Sequence, residues 1–129
     1  MEILVAEDDY DIAMQYQIAL EARKHHLVTT YNGEECLKAY HDALKRTEPG
    51  KSPFDVVILD YRMPKKDGLE AAKEIFAACP QQRIIFASAY VKEVLDEAGK
   101  ELKHPFELLQ KPFRLSLLID KVEAKEAAI

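Results

Sequence analysis

The chain has few of the features that mark disulfide-bonded, zinc-binding or membrane-spanning proteins. Its only two cysteines, Cys36 and Cys79, lack metal-ligand spacing. We expect both to be reduced thiols in the core of a cytoplasmic protein. No apolar run reaches the roughly 20 residues that a membrane-spanning helix needs. The sequence therefore predicts neither a disulfide framework nor a membrane span.

An excess of basic residues and a phosphate-binding glycine loop are also missing. The formal net charge is −5 at pH 7. This charge argues against nucleic-acid binding by this chain alone, because no basic stripe is available to neutralise phosphates. The pattern Gly-x-x-x-x-Gly-Lys-Ser/Thr does not occur, which excludes a P-loop nucleotide site.

The composition that is present is typical of a globular domain. The chain has 129 residues, of which 48% are hydrophobic and 32% charged. This length suffices for one domain with a proper core. Met1 leads straight into a strand pattern rather than a signal peptide. We expect residues 1–129 to form a single cytoplasmic domain.

Five short apolar segments alternate with amphipathic segments along the chain. Strands are predicted over residues 3–6, 27–31, 56–59, 83–87 and 106–110, and helices over about 10–24, 33–44, 68–79, 91–102 and 115–122. Asn32 and Asp67 are each followed at the third position by glutamate, which is the pattern of a capped helix start. Strands that alternate with helices form parallel sheets, because parallel neighbours need crossover connections. The predicted fold class is therefore a doubly wound α/β domain with helices on both faces.

Asp60 is the most informative single residue. It closes the aliphatic run 56–59, and a loop containing Met63-Pro64 and Asp67-Gly68 follows it. An aspartate in this position is by itself more often a loop or capping residue. Other predicted strands, however, also end in polar residues, namely Glu7, Asp8, Ser88 and Lys111. The carboxyl ends of parallel strands share one edge of the sheet, which is where open α/β sheets bind ligands.

The residue types at this edge point to phosphoryl chemistry with a divalent metal. Glu7, Asp8 and Asp60 would repel one another as three bare anions unless a cation offsets their charge. A hard cation with oxygen ligands, such as Mg²⁺, satisfies that requirement. Together with the Ser88 hydroxyl and the Lys111 ammonium, these groups can place and stabilise a phosphoryl group.

In their order and spacing, these segments resemble the receiver domain of two-component response regulators over essentially the whole chain. The segments that carry the resemblance are Ile3-Leu4-Val5-Ala6-Glu7-Asp8-Asp9, Leu59-Asp60-Tyr61-Arg62-Met63-Pro64, Asp67-Gly68, Ala87-Ser88-Ala89 and Lys111-Pro112-Phe113. The resemblance implies the flavodoxin-like (βα)5 receiver fold, a five-stranded parallel sheet with strand order 2-1-3-4-5.

The resemblance also implies a phosphoacceptor and a metal site. Asp60 would accept a phosphoryl group from a sensor histidine kinase or a histidine phosphotransfer protein, forming an aspartyl phosphate. The implied Mg²⁺ ligands are Asp8 directly, Glu7 largely through water, Asp60, and the backbone carbonyl of Arg62. The side chains of Arg62 and Tyr90 flank the site and are expected to tune the lifetime of the phosphate.

A switch follows from the same resemblance. The Ser88 hydroxyl would move to the phosphate, Lys111 would pair with it, and the Lys111-Pro112 peptide would be cis. The chain would catalyse only its own phosphorylation and dephosphorylation. Its output would be altered contact with an unknown downstream protein, or a homodimer formed through the fourth helix, fifth strand and fifth helix.

One departure from the family's pattern keeps an alternative open. The family usually has tyrosine or phenylalanine three residues before the lysine, whereas this chain has Leu108, with Phe106 two residues earlier. A degenerate receiver that binds partners without phosphorylation is therefore the alternative reading. A phosphatase of the haloacid-dehalogenase type is disfavoured, because Arg62 occupies the position of that family's second aspartate.

Overall fold

The computed structural model describes residues 1–124, in which strands and helices alternate as predicted. The strands are β1 (Glu2–Ala6), β2 (His26–Thr30), β3 (Val56–Asp60), β4 (Ile84–Ser88) and β5 (Glu107–Gln110). The helices are α1 (Tyr10–Glu21), α2 (Gly33–Lys45), α3 (Gly68–Ala78), α4 (Val91–Glu101) and α5 (Leu115–Glu123). None of these helices is both long and apolar enough to cross a membrane.

The strands form one parallel sheet with the order β2-β1-β3-β4-β5. This order confirms the predicted doubly wound α/β class and the receiver topology. β1 pairs with both β2 and β3, so the strand order reverses there. A ligand crevice is expected at the carboxyl ends of the strands beside such a reversal.

The sheet is covered by helices on both faces, which explains the continuous aliphatic runs of its central strands. Every residue of β3 and of β4 is buried. Alternate side chains point to opposite faces: Leu4 and Leu59 pack with residues of α2, α3 and α4. Ile3 and Ile58 pack with residues of α1 and α5.

The two predicted helix caps are present in different forms. Asp67 and Glu70 form a reciprocal capping box, with hydrogen bonds of 2.9 and 3.2 Å. At the start of α2, the Glu35 amide donates to the Asn32 side chain at 2.8 Å. The Glu35 carboxylate accepts from the Tyr31 amide rather than from that of Asn32. Both caps fix where a helix begins after a loop at the carboxyl edge.

The first helix is shorter than predicted. It ends at Glu21, and Lys24 adopts a left-handed conformation with φ of 67°. Arg23 lies beyond the helix and forms a bidentate ion pair with Glu123 of α5. The apolar pattern of α1 therefore continues in the sequence past the point at which the backbone turns towards β2.

The long connection between α2 and β3 is held by glutamine side chains at the amino-terminal edge of the sheet. Gln81 donates to the carbonyl of Gly50, and Gln82 donates to that of Phe54, both at 2.9 Å. The buried Tyr40 hydroxyl donates to Gln82 at 2.9 Å. These bonds give the connection a structural role at the end of the sheet opposite Asp60.

Candidate functional site

Three carboxylates meet at the carboxyl edge of the sheet, as the sequence predicts. Asp60 is the last residue of β3 and is 8% exposed, whereas Glu7 follows β1 and is 1% exposed. Asp8 is exposed to solvent. One carboxylate oxygen from each residue lies within 4.8 Å of the other two. This edge is therefore a compact and strongly acidic pocket that remains open on the Asp8 side.

The backbone explains why these acids converge. Ala6 pairs with Leu59, so the residues that follow them lie side by side. The Asp9 amide donates to the Glu7 carboxylate at 3.0 Å. The Asp9 carboxylate accepts from the Asp11 and Ile12 amides and caps α1. The chain thus turns into α1 directly after Asp8.

Lys111 supplies a positive charge from the turn after β5. Its Nζ donates to Glu7 Oε1 at 2.6 Å and to Asp60 Oδ1 at 3.2 Å. Its backbone amide donates to the carbonyl of Ser88 at 2.8 Å, which ties the turn to β4. The Lys111-Pro112 peptide is cis, as predicted. One ammonium therefore bridges the two buried carboxylates.

One ammonium does not balance three carboxylates. Burial, followed by the charge of Glu7 and the proximity of Asp8, raises the pKa of Asp60 to about 8, although Lys111 opposes this shift. Burial lowers the pKa of Lys111, but Glu7 and Asp60 outweigh it and leave that pKa above its ordinary value. The pocket therefore carries excess negative charge that an additional cation would stabilise.

The oxygen ligands at this edge fit Mg²⁺. Glu7 has one carboxylate oxygen engaged by Lys111 and the other by the Asp9 amide. Asp8 is exposed, and Asp60 lies between the two acids and the ammonium. Mg²⁺ is typically held by one or two carboxylates and several waters. The three carboxylates are therefore a donor set compatible with Mg²⁺.

The Ser88 hydroxyl is turned towards the loop that leads into α4. Ser88 is the last residue of β4 and is buried, and its Oγ accepts a hydrogen bond from the Tyr90 amide at 3.0 Å. Within residues 1–124, no hydrogen bond joins Ser88 to Asp60. Ser88 thus lies on the strand next to Asp60, but its hydroxyl is engaged elsewhere.

The Arg62 side chain also points away from the acids. Its guanidinium forms an ion pair with Glu93 of α4, and Glu97 Oε1 lies 4.0 Å from its Nη2. The guanidinium therefore contributes its charge to α4 rather than to the acidic pocket.

Tyr61 is the neighbour of the site that sequence reasoning missed. It is 1% exposed, and its hydroxyl donates to Glu97 of α4 at 2.8 Å. Its ring lies edge-on to Phe86, with ring centroids 5.4 Å apart. The alternation of buried side chains gives a signal, because Tyr61 continues the face formed by Val57 and Leu59.

Leu108 occupies the position at which the family usually has an aromatic residue. Leu108 is half-buried against the core on the α2, α3 and α4 side. Phe106 lies on the same side, and its ring is edge-on to Phe86 at 5.3 Å. The rings of Tyr61, Phe86 and Phe106 form a continuous aromatic row that crosses the sheet from the residue after β3, through the middle of β4, to the residue before β5.

Comparison with known sequences gives a consistent result. A family model described as a response regulator receiver domain matches residues 3–123. The transcriptional regulatory protein RprY of Bacteroides fragilis is 30% identical over 132 residues, which cover 98% of this chain and 52% of that protein. The response regulator receiver protein CpdR of Brucella abortus is 28% identical, over 94% of this chain and 92% of that protein. The chain thus spans about half the length of RprY and nearly all of CpdR.

Solved structures show the same architecture. A receiver domain protein from Clostridium thermocellum matches with a TM-score of 0.78 and 26% identity, over 94% of this chain and 90% of that one. The response regulator TrrA of Thermotoga maritima, solved in complex with Mg²⁺ and beryllofluoride, matches with a TM-score of 0.74 and 30% identity. That match covers 94% of this chain and 95% of TrrA.

Proposed function

The chain belongs to the response regulator receiver domain family, and from this membership we propose that Asp60 is its phosphoacceptor. Receiver domains are signalling switches of two-component systems rather than enzymes that act on external substrates. The observation that supports the assignment most strongly is the meeting of three carboxylates within 4.8 Å, with the Lys111 ammonium bound to two of them. We propose further that residues 1–129 act as one such domain.

The proposed reaction is a transfer from phosphohistidine to aspartate. An Asp60 carboxylate oxygen attacks the phosphorus atom, the phosphorus–nitrogen bond breaks, and the imidazole leaves with the electron pair and takes a proton from water. The product is an acyl phosphate on Asp60. Lys111 Nζ already lies 3.2 Å from Asp60 Oδ1, so its charge is in place to stabilise the phosphoryl oxygens. The donor would be a sensor histidine kinase or a histidine phosphotransfer protein.

The chain's own residues would hold Mg²⁺ beside Asp60. Asp8 and Asp60 would provide carboxylate ligands, Glu7 would act through water, and the backbone carbonyl of Arg62 would complete the protein contribution. When bound, Mg²⁺ would offset the charge that accumulates on the phosphoryl oxygens.

The switch would begin at Ser88. Its hydroxyl would leave the Tyr90 amide and donate to a phosphoryl oxygen, drawing the β4–α4 loop towards Asp60. The resulting shift would alter the surface formed by α4, β5 and α5 and change its contacts with a downstream protein or with a second copy of the chain. Phosphorylation would thereby bias a two-state equilibrium.

Incubation with acetyl phosphate and Mg²⁺ tests the proposal. Intact-mass spectrometry is expected to show a gain of one phosphoryl group in the natural chain and none in Asp60→Asn. The matched control is Asp120→Asn, which makes the same chemical change at an exposed position of α5 and should gain the group normally. No gain in the natural chain would favour the degenerate receiver that binds partners without phosphorylation.

Removal of one proposed metal ligand should weaken Mg²⁺ binding. Asp8→Asn is expected to lower the affinity at least about 10-fold, as measured by titration calorimetry, because a charged oxygen ligand is lost. Asp9→Asn removes the same charge from the next residue but keeps a good helix cap, so its affinity should stay close to that of the natural chain. Equal affinities for all three proteins would contradict the metal assignment.

A further inference from the structure

Helix α4 is weakly held by apolar contacts. Only two of its residues, Val94 and Ala98, are buried, whereas α3 of equal length buries six. Tyr90 precedes α4 without a side-chain cap, and Gly99 lowers its helix propensity. Elements with few buried apolar contacts open most easily. Polar contacts to α4 therefore have more influence on its position than they would on a deeply packed helix.

Tyr61 and Arg62, which directly follow Asp60, both make polar contacts to α4. The Tyr61 hydroxyl donates to Glu97 at 2.8 Å, and the Arg62 guanidinium pairs with Glu93. The ion pair is largely exposed and contributes little by itself. The hydrogen bond is partly buried and charge-assisted, which makes it the stronger of the two contacts.

The ring of Tyr61 is fixed by its surroundings. Its amide donates to the carbonyl of Ala87 at 3.0 Å and continues the ladder between β3 and β4. The ring packs edge-on against Phe86. A displacement of the backbone at Asp60 would therefore be transmitted directly to Glu97 and α4.

We propose that Tyr61 and Arg62 form a latch that holds α4 in the arrangement of the unphosphorylated chain. The latch rests on the proposed function of Asp60. In this chain, Tyr61 would take over the role of the aromatic residue that Leu108 replaces, at the end of the row that continues through Phe86 and Phe106. Tyr61 is thus a positioning residue that couples Asp60 to α4.

Phosphorylation opens this latch through competition for charge. A phosphoryl group on Asp60 adds anionic charge two residues before Arg62, whose guanidinium is turned away from Asp60 and paired with Glu93, and this charge would draw the guanidinium off Glu93. Movement of the loop around Arg62 also displaces the Tyr61 hydroxyl from Glu97. Because coupling between two sites is reciprocal, contacts that hold α4 in the resting arrangement also oppose the binding of phosphoryl groups.

Tyr61→Phe tests the latch by removing one oxygen atom while keeping the ring on Phe86. Hydrogen exchange in residues 91–101 of the unloaded variant is expected to be about 3- to 10-fold faster than in the natural chain, which is the effect of losing one hydrogen bond. Binding of beryllofluoride with Mg²⁺, used as a stable mimic of the phosphoryl group, should tighten by a similar factor of about 3 to 10. A purely structural role would weaken that binding or leave it unchanged.

The control is Tyr40→Phe, which removes another buried tyrosine hydroxyl, bonded to Gln82 far from Asp60. Its stability should fall, while exchange in α4 and beryllofluoride affinity stay unchanged. Glu97→Ala removes the acceptor and should reproduce both effects of Tyr61→Phe, and the double variant should add little to either. If the natural chain binds beryllofluoride and Tyr61→Phe matches it in both measurements, the latch is wrong. If the natural chain binds none, the proposed function fails and the coupling fails with it.

Discussion

Asp60→Asn is expected to stabilise the metal-free chain at pH 8, although it removes the proposed phosphoacceptor. The reason is the burial of a carboxylate beside two other acids, which raises the pKa of Asp60 from 3.8 to about 8. Between these values, the folded chain retains a proton that the unfolded chain has released. Stability therefore falls as the pH rises through this window. The neutral amide of asparagine avoids the cost of burying this charge. We therefore expect Asp60→Asn to raise the free energy of unfolding by about 1–3 kcal/mol at pH 8.

Chemical unfolding in a metal chelator at about pH 5 and pH 8 measures this effect. The advantage of Asp60→Asn should be larger at the higher pH and should shrink or reverse when Mg²⁺ is added, because the metal stabilises only the natural chain. Asp120→Asn should follow the natural chain at both pH values. If Asp60→Asn is less stable than the natural chain at pH 8 without metal, the acidic pocket is not under the electrostatic strain described here.

Gly68→Ala is expected to damage both stability and phosphorylation. A Cβ on Gly68 would lie 2.5 Å from the backbone oxygen of Asp60 and 2.9 Å from the Cα of Tyr61. Backbone atoms cannot rotate away, so the segment that presents the phosphoacceptor must move. Overpacking of this kind destabilises by about 1–3 kcal/mol. Displacement of Asp60 should also lower the rate of phosphorylation by acetyl phosphate.

Gly99→Ala is the matched control, because the Cβ that it would add meets no atom within 4 Å apart from the local backbone of its own helix. Gly99 is an exposed residue of α4, where alanine should stabilise the chain by about 0.5–1 kcal/mol. Two measurements compare the variants. Denaturant unfolding gives the stability of each, and the mass gained over time with acetyl phosphate gives the rate of phosphorylation. A Gly68→Ala chain that matched the natural one in both respects would show that the approach of α3 to Asp60 does not constrain the site.

Much of the fold follows from local patterns in the sequence. The aliphatic run of β3 is long enough only for a strand, and its lack of alternation indicates burial on both faces. Once the sheet is parallel, the ends of β1, β3, β4 and β5 must share one edge. That rule brings Glu7, Asp8, Asp60 and Lys111 to one place. In the structure the three carboxylates lie within 4.8 Å of one another, and the Lys111 ammonium bonds to Glu7 and Asp60.

The parts that sequence reasoning missed depend on contacts between distant segments. No local pattern indicates that the Tyr61 hydroxyl reaches Glu97, because the two residues are far apart in the sequence. Their contact depends on how α4 lies across the sheet. The orientation of the Ser88 hydroxyl depends on the loop into α4, where the Tyr90 amide competes for it. The early end of α1 is set by the left-handed Lys24, a conformation that sequence indicates clearly only for glycine.

The identity of the phosphoacceptor is decided by locating the acyl phosphate itself. After incubation with acetyl phosphate and Mg²⁺, borohydride reduces an aspartyl phosphate to homoserine, which peptide mass spectrometry can assign to one position. We predict homoserine at position 60 alone, and only when Mg²⁺ is present. Homoserine at position 8 or at any other acid, or its absence under these conditions, would contradict the assignment of Asp60.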